Sequence, residues 1–247
     1  MNERLIVPLD LNDMGHIKKI VEQLKGLVMF YKIGSVPFTY FGPDIVGFLK
    51  DDGYKVMLDL KYHDIPSVIA RACEGALKMG VDLLTLHTSG GFSMLEESVK
   101  AVLSSGMKKE EKPKLLGVTV LTNIDEAYYK DIFGDMKRSL VEQVKFLAVL
   151  ARSAGLDGVV ASPQEVELIR KECGKDFLIV TPGIRPRDDQ ARVDDQARTM
   201  TPKEAMKAGA DYIVVGRPIL KAANPREAAE KIIEEIEDGY REVTQRP

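Results

Sequence analysis

Eight short apolar runs recur along the 247-residue chain, and the segments between them carry helical spacing. The runs fall at 4–10 (RLIVPLD), 28–34 (VMFYKIG), 54–61 (YKVMLDLK), 81–87 (VDLLTLH), 115–122 (LLGVTVLT), 156–162 (LDGVVAS), 177–183 (FLIVTPG) and 210–216 (ADYIVVG). Nearly continuous apolar character, rather than strict alternation, is the pattern of parallel strands covered on both faces. Between the runs, Ile17, Ile20, Val21 and Leu24 share one helical face, and Leu140, Val144, Leu147, Val149 and Leu150 another. Gly80, Gly155 and Gly209 stand where a helix needs a left-handed residue before the next strand. Val36-Pro37, Ser162-Pro163 and Asn224-Pro225 suit helix starts, where proline costs little. Eight alternations in a chain of this length predict an α/β fold, a (β/α)8 barrel with a closed eight-stranded parallel sheet, in preference to an open doubly wound sheet. No linker or composition break divides the chain, so residues 1–247 are expected to form one domain.

The net charge is −3, from 35 basic and 38 acidic residues. That balance provides no global positive field, so neither nucleic acid nor an anionic membrane is an expected partner. Only Cys73 and Cys173 are present, far apart and without a CxxC, which argues against a disulfide framework or a structural zinc site. The amino terminus, MNERLIVPLDLND, is charged at once and its apolar run is too short for a signal or a span. These features predict a soluble, cytoplasmic protein.

In a barrel of this kind the active site forms at the carboxyl ends of the strands. There the chain places Asp10, Lys32, Asp59, Lys61, Asp64, His87 and Thr122. Residues two apart on a strand share a face, so Asp59 and Lys61 point the same way, into the mouth, with Lys32 beside them. Interleaved lysines and aspartates keep one another charged. A purely structural ion-pair network competes with this reading. Against it stands the convergence of four to six ionisable groups, because each buried ion costs several kcal/mol.

A separate signal points to phosphate. The eighth run ends VVGRPI and the seventh TPGIR, so Gly216, Arg217 and Arg185 enter the two loops that often hold a phosphate in such barrels. The charged, weakly periodic stretch at 183–202 between them predicts a functional lid. His16 and Cys73 read as ordinary surface or packing positions, and 228–243 as an amphipathic closing helix. His63 would need Asp59 and Asp64 to hold a metal, but Lys61 competes for both and no second histidine has ligand spacing, so no metal is expected.

Through these residues the chain resembles the orotidine 5'-phosphate decarboxylase family. The most specific element is Asp59-x-Lys61-x-x-Asp64-Ile65-Pro66, similar to the family's DxKxxDIP signature. Asp10, Lys32, LHTSGG (86–91), VTVLTN (118–123), TPGIRP (181–186), DQARTMTP (195–202) and VVGRPI (214–219) follow in the family's order. The resemblance implies cofactor-free decarboxylation of orotidine 5'-monophosphate to uridine 5'-monophosphate in pyrimidine biosynthesis, by a homodimer with shared active sites. It implies that Lys61 protonates C6, that Asp59 faces the substrate carboxylate, and that Lys32 and Asp64 complete a charge array, Asp64 reaching in from the partner subunit. Asp10 and Lys32 would contact the ribose, and Ile65, Thr122 and Asn123 the nucleotide. Arg185, Gln196, Gly216 and Arg217 would hold the phosphate side and the closing loop. Three departures stand out: Val68 where the family usually has threonine, Asn123 where it has serine, and a loop at 185–196 that is two residues longer. A magnesium-dependent sugar-phosphate decarboxylase or synthase of the same superfamily, or a non-catalytic nucleotide-phosphate binder, remains the alternative.

Overall fold

The computed structural model, which describes residues 2–134, 137–186 and 198–244, closes eight parallel strands into a barrel in chain order. The strands are β1 (Asn2–Pro8), β2 (Val28–Gly34), β3 (Lys55–Tyr62), β4 (Leu83–His87), β5 (Lys114–Val118), β6 (Gly158–Val160), β7 (Leu178–Thr181) and β8 (Tyr212–Val214). Pairing of Leu5 with Ile213 and of Ile6 with Val214 closes the sheet. The described helices are α1 (Met14–Gln23), α2 (Ser35–Phe41), α3 (Asp44–Asp51), α4 (Pro66–Lys78), α5 (Gly91–Leu103), α6 (Glu126–Phe133), α7 (Leu140–Ser153), α8 (Val166–Cys173), α9 (Pro202–Ala208), α10 (Arg217–Leu220) and α11 (Pro225–Thr244). They outnumber the strands because β2–β3, β5–β6 and the tail after β8 each carry two helical segments. Among the described residues no helix is long and apolar enough to cross a membrane.

Side-chain alternation along each strand builds two separate cores. Ile6, Phe30, Met57, Leu83, Leu116, Val180 and Val214 fill the barrel interior. Leu5, Val7, Ile33, Leu58, Leu84, Val159 and Ile213 face the helices. In α7 the buried residues are Leu140, Val144, Leu147, Ala148 and Ala151. Val149 is 39% exposed, contrary to the face assigned to it from sequence, because the 3.6-residue period turns it outward.

The strands also end sooner than their apolar runs. β1 stops at Pro8, β5 at Val118 and β8 at Val214, so Asp10, Thr122 and Gly216 sit in loops beyond the sheet. Apolar character continues past the last ladder hydrogen bond because these loops line the mouth. Gly80 and Gly155 follow the last residues of α4 and α7 at φ +68° and +90°, and Gly209 ends α9 at φ +105°. Pro225 opens α11 and Pro163 opens a single 3-10 turn, while Pro37 is the third residue of α2.

At the amino end, one device recurs before β4, β6 and β8. Asp82, Asp157 and Asp211 each precede an even-numbered strand. Asp82 donates its N–H to Val56 O at 2.9 Å and accepts the Val56 N–H on its carboxylate at 2.8 Å. Asp157 does the same to Leu115 at 3.0 and 2.9 Å, and Asp211 to Ile179 at 2.9 and 2.8 Å. A cation completes each: Lys50, Lys114 and Arg170, all at 2.7–2.9 Å. These carboxylates satisfy the N–H of the second residue of the preceding strand, at the edge of the ladder.

Candidate active site

A cavity of about 590 Å³ opens at the carboxyl ends of the strands, over the interior core. Met57, Val118, Val160 and Val214 line its floor, and Asp10, Lys32, Asp59 and Lys61 its charged side. The charges form one continuous chain. Lys32 Nζ lies 3.1 Å from Asp10 Oδ1 and 3.2 Å from Asp59 Oδ2. Lys61 Nζ lies 2.9 Å from that same Asp59 oxygen. Burial alone would lower the Lys32 pKa, yet the carboxylates of Asp59 and Asp10 outweigh it and hold the ammonium above its ordinary value.

Strand parity places Lys32 two residues above Phe30, and Asp59 and Lys61 in the same row as Met57, so these side chains turn inward as the spacing predicted. Gly34 makes room for them. A Cβ at Gly34 would fall 2.7 Å from Asp10 Oδ1 and 3.0 Å from Lys32 Nζ. Lys61 itself has φ +50°, the one positive value at a non-glycine position among the described residues. Here the β3–β4 ladder is interrupted: Leu58 pairs with Leu84, and the next pair is Tyr62 with Leu86. β3 thus carries two extra residues across this break, which keeps the inward parity of Lys61 with Asp59.

Thr122, Asn123, Arg185, Gly216 and Arg217 also line the cavity. Arg185 is 8% exposed, and its guanidinium donates to Ile184 O at 2.9 Å. Ile184 and Met200 pair in an isolated parallel bridge, with Arg185 N–H donating to Met200 O at 2.9 Å. Arg198 forms a buried ion pair with Glu165. Gln196 and most of the expected lid, 187–197, lie outside the described residues.

Asp64 and Ile65 do not line this chain's own cavity. Both are exposed, Ile65 to 62%, and Asp64 Oδ1 accepts the Ile65 N–H at 2.6 Å. Val68 is exposed beside them, early in α4. His63 and His87 stack with ring centroids 5.3 Å apart, and burial, with His63 and Lys61 nearby, pushes the His87 pKa down. No group of three or more His, Cys, Asp or Glu among the described residues is arranged to hold a metal ion.

Sequence reasoning missed several residues at the mouth. His16, assigned to an ordinary surface position, lies on the cavity rim with Leu220 and Lys221. Thr85 is fully buried and donates to Asp59 Oδ1 at 3.0 Å. Its position one strand over, two residues before His87 on the inward row, was the available signal. Gly34 carried none beyond its place at a strand end.

The sequence profile described as "Orotidine 5'-phosphate decarboxylase / HUMPS family" matches residues 3–232. The orotidine 5'-phosphate decarboxylase of Geotalea daltonii is 47% identical over 236 residues, covering 96% of this chain and 97% of the relative. That of Geotalea uraniireducens is 48% identical over 233 residues, covering 94% and 95%. The crystal structure of orotidine 5'-phosphate decarboxylase from Lactobacillus acidophilus superposes with a TM-score of 0.82 at 36% identity, covering 95% of this chain and 99% of that one. The matched span takes in the charge chain of Asp10, Lys32, Asp59 and Lys61 together with both loops that flank it, and on that extent of likeness the chain belongs to the orotidine 5'-phosphate decarboxylase / HUMPS family.

Proposed function

We propose that this protein decarboxylates orotidine 5'-monophosphate to uridine 5'-monophosphate, without a cofactor, in cytoplasmic pyrimidine biosynthesis. One observation carries the mechanism: both lysine ammoniums contact a single buried oxygen of Asp59, at 3.2 and 2.9 Å, on the wall of the cavity. The substrate carboxylate sits against Asp59, and C6 of the pyrimidine against Lys61. The C6–carboxylate bond breaks, carbon dioxide leaves, and the electron pair stays on C6. Lys61 Nζ then gives C6 a proton and regains one from solvent.

Two physical effects favour this path. The fixed Lys61 ammonium stabilises the carbanion as it forms, with no reorganisation at the moment of reaction. Carboxylate facing carboxylate raises the ground state, and that repulsion is relieved as neutral carbon dioxide departs. Arg185, Gly216, Arg217 and Gln196 hold the phosphate, and this remote binding energy positions the base in the field of the lysines. Asp10 and Lys32 contact the ribose, and Thr122 and Asn123 the nucleotide.

The functional unit in this reading is a homodimer with shared sites. Asp64 and Ile65, exposed and turned away from their own cavity, serve the partner's site and complete the array there.

The test is spectrophotometric loss of the orotate absorbance in EDTA. Wild-type protein turns the nucleotide over with chelator present. Lys61→Ala loses many orders of magnitude in turnover and still binds uridine 5'-monophosphate. Turnover abolished by EDTA sinks the reading in favour of a metal-dependent enzyme. Lys61→Ala activity within about tenfold of wild type, roughly 1.4 kcal/mol of barrier, removes Lys61 as the acid.

A further inference from the structure

The ladder between β3 and β4 fails at the point where the site is built. Between the pairs Leu58–Leu84 and Tyr62–Leu86, three residues of β3 stand opposite one residue of β4, Thr85. A backbone N–H stranded at such a bulge needs another acceptor. The Lys61 N–H finds it in the Thr85 hydroxyl, at 2.9 Å. The hydroxyl's own hydrogen goes to Asp59 Oδ1, at 3.0 Å.

One oxygen thus binds both members of the central charge pair. It holds the backbone of Lys61 at φ +50°, a conformation that side-chain-bearing residues rarely adopt unless their surroundings impose it. By engaging Oδ1 it also turns the Asp59 carboxylate so that Oδ2 alone meets Lys32 and Lys61. Thr85 is completely buried, so water cannot take over either bond. It does not line the cavity, so it acts through its two partners and not on the substrate.

We propose that Thr85 is a positioning residue for decarboxylation, its hydroxyl setting the Asp59 carboxylate and the Lys61 backbone in register with each other. This rests on the functional reading above. Thr85→Val keeps the side-chain shape and removes both hydrogen bonds. Its kcat falls about 100-fold, the scale of a catalytic group displaced by an ångström. Its affinity for uridine 5'-monophosphate, which lacks the reacting carboxylate, stays within about threefold of wild type, since only the transition state is affected.

A second pair of variants covers the case in which Thr85→Val does not fold. Thr85→Ser and Thr85→Ala both lack the methyl group, so the hydroxyl alone separates them. Thr85→Ser retains most of the wild-type kcat and Thr85→Ala does not. Equal losses in Ser and Ala, or a folded Thr85→Val with kcat within about threefold of wild type, would overturn the proposal. Wild-type protein that fails to consume orotidine 5'-monophosphate would overturn the functional reading itself, a result distinct from either.

Discussion

Lys32 Nζ and Asp59 Oδ2 stand 3.2 Å apart, with side chains only 11% and 9% exposed. Lys32 is the cation that Asp10 and Asp59 share, and removing it leaves the buried Asp59 carboxylate with only Lys61 and Thr85 to sustain its charge. Lys32→Met is therefore expected to lower the unfolding free energy by about 3 kcal/mol, as breaking a buried pair does. Turnover of orotidine 5'-monophosphate should fall by orders of magnitude with it. Urea unfolding and an absorbance assay measure both. An unfolding free energy equal to wild type would mean that Lys61 and Thr85 alone sustain the Asp59 charge.

Gly34 separates site geometry from stability. The atoms that a Cβ there would meet are the tips of Asp10 and Lys32, which can swing away, and at φ −94° the backbone tolerates any residue. Gly34→Ala should leave the melting temperature within about 2 °C, in line with the small effect of a relieved contact. Turnover should fall at least tenfold, about 1.4 kcal/mol of barrier, because the Asp10–Lys32 contact opens. A variant that melts far lower yet turns over normally would contradict this assignment.

His87 gives the fold an acid-side dependence. Its burial, with His63 and Lys61 nearby, lowers its pKa in the folded chain. In the unfolded chain it titrates near about 6.5, so between that value and the lower folded one the unfolded state binds more protons. Its contribution to stability is complete above about pH 6.5 and is lost as the pH falls through the folded pKa. Wild type should lose more unfolding free energy than His87→Asn between pH 7.5 and pH 5. Parallel curves for the two proteins would rule out His87 as the source.

Asp211 tests the amino end of the barrel independently of the site. Its carboxylate takes the Ile179 N–H at 2.8 Å and the Arg170 guanidinium at 2.7 Å. Asp211→Ala strands the Ile179 N–H and takes the one carboxylate from Arg170, whose guanidinium keeps the Gly209 and Phe177 carbonyls. It should cost about 2–3 kcal/mol in denaturant unfolding, the range for hydrogen bonds to a charged group. Turnover per folded molecule should be unchanged, because the candidate site lies at the other end of the strands. A fall in kcat at full folding would show coupling between the two ends.

Much of this architecture is visible in the chain as text. The eight apolar runs, their alternation with amphipathic segments and the helix-stop glycines depend on local periodicity and backbone freedom, which neighbouring residues set among themselves. The same holds for the inward turn of Asp59 and Lys61, since a period of two needs only the strand itself. The ends of strands were less legible. Apolar residues such as Val120 and Leu121 serve a loop over the mouth as readily as a ladder, so the fifth strand reads four residues too long at its carboxyl end.

Other features arise between elements distant in sequence. Thr85 meets Asp59 across 26 residues, and Lys32 meets Asp10 across 22, distances that close only when parallel strands pair in a particular register. The bulge that gives Lys61 its positive φ belongs to the pairing of β3 with β4 and to neither strand alone. The aspartates before β4, β6 and β8 look like ordinary loop residues until the neighbouring strand brings its unpaired N–H beside them. Composition and periodicity determine which residues can face inward. Which inward residues touch, and which oxygen of Asp59 the lysines share, follows from barrel closure, because register and bulge are properties of paired strands.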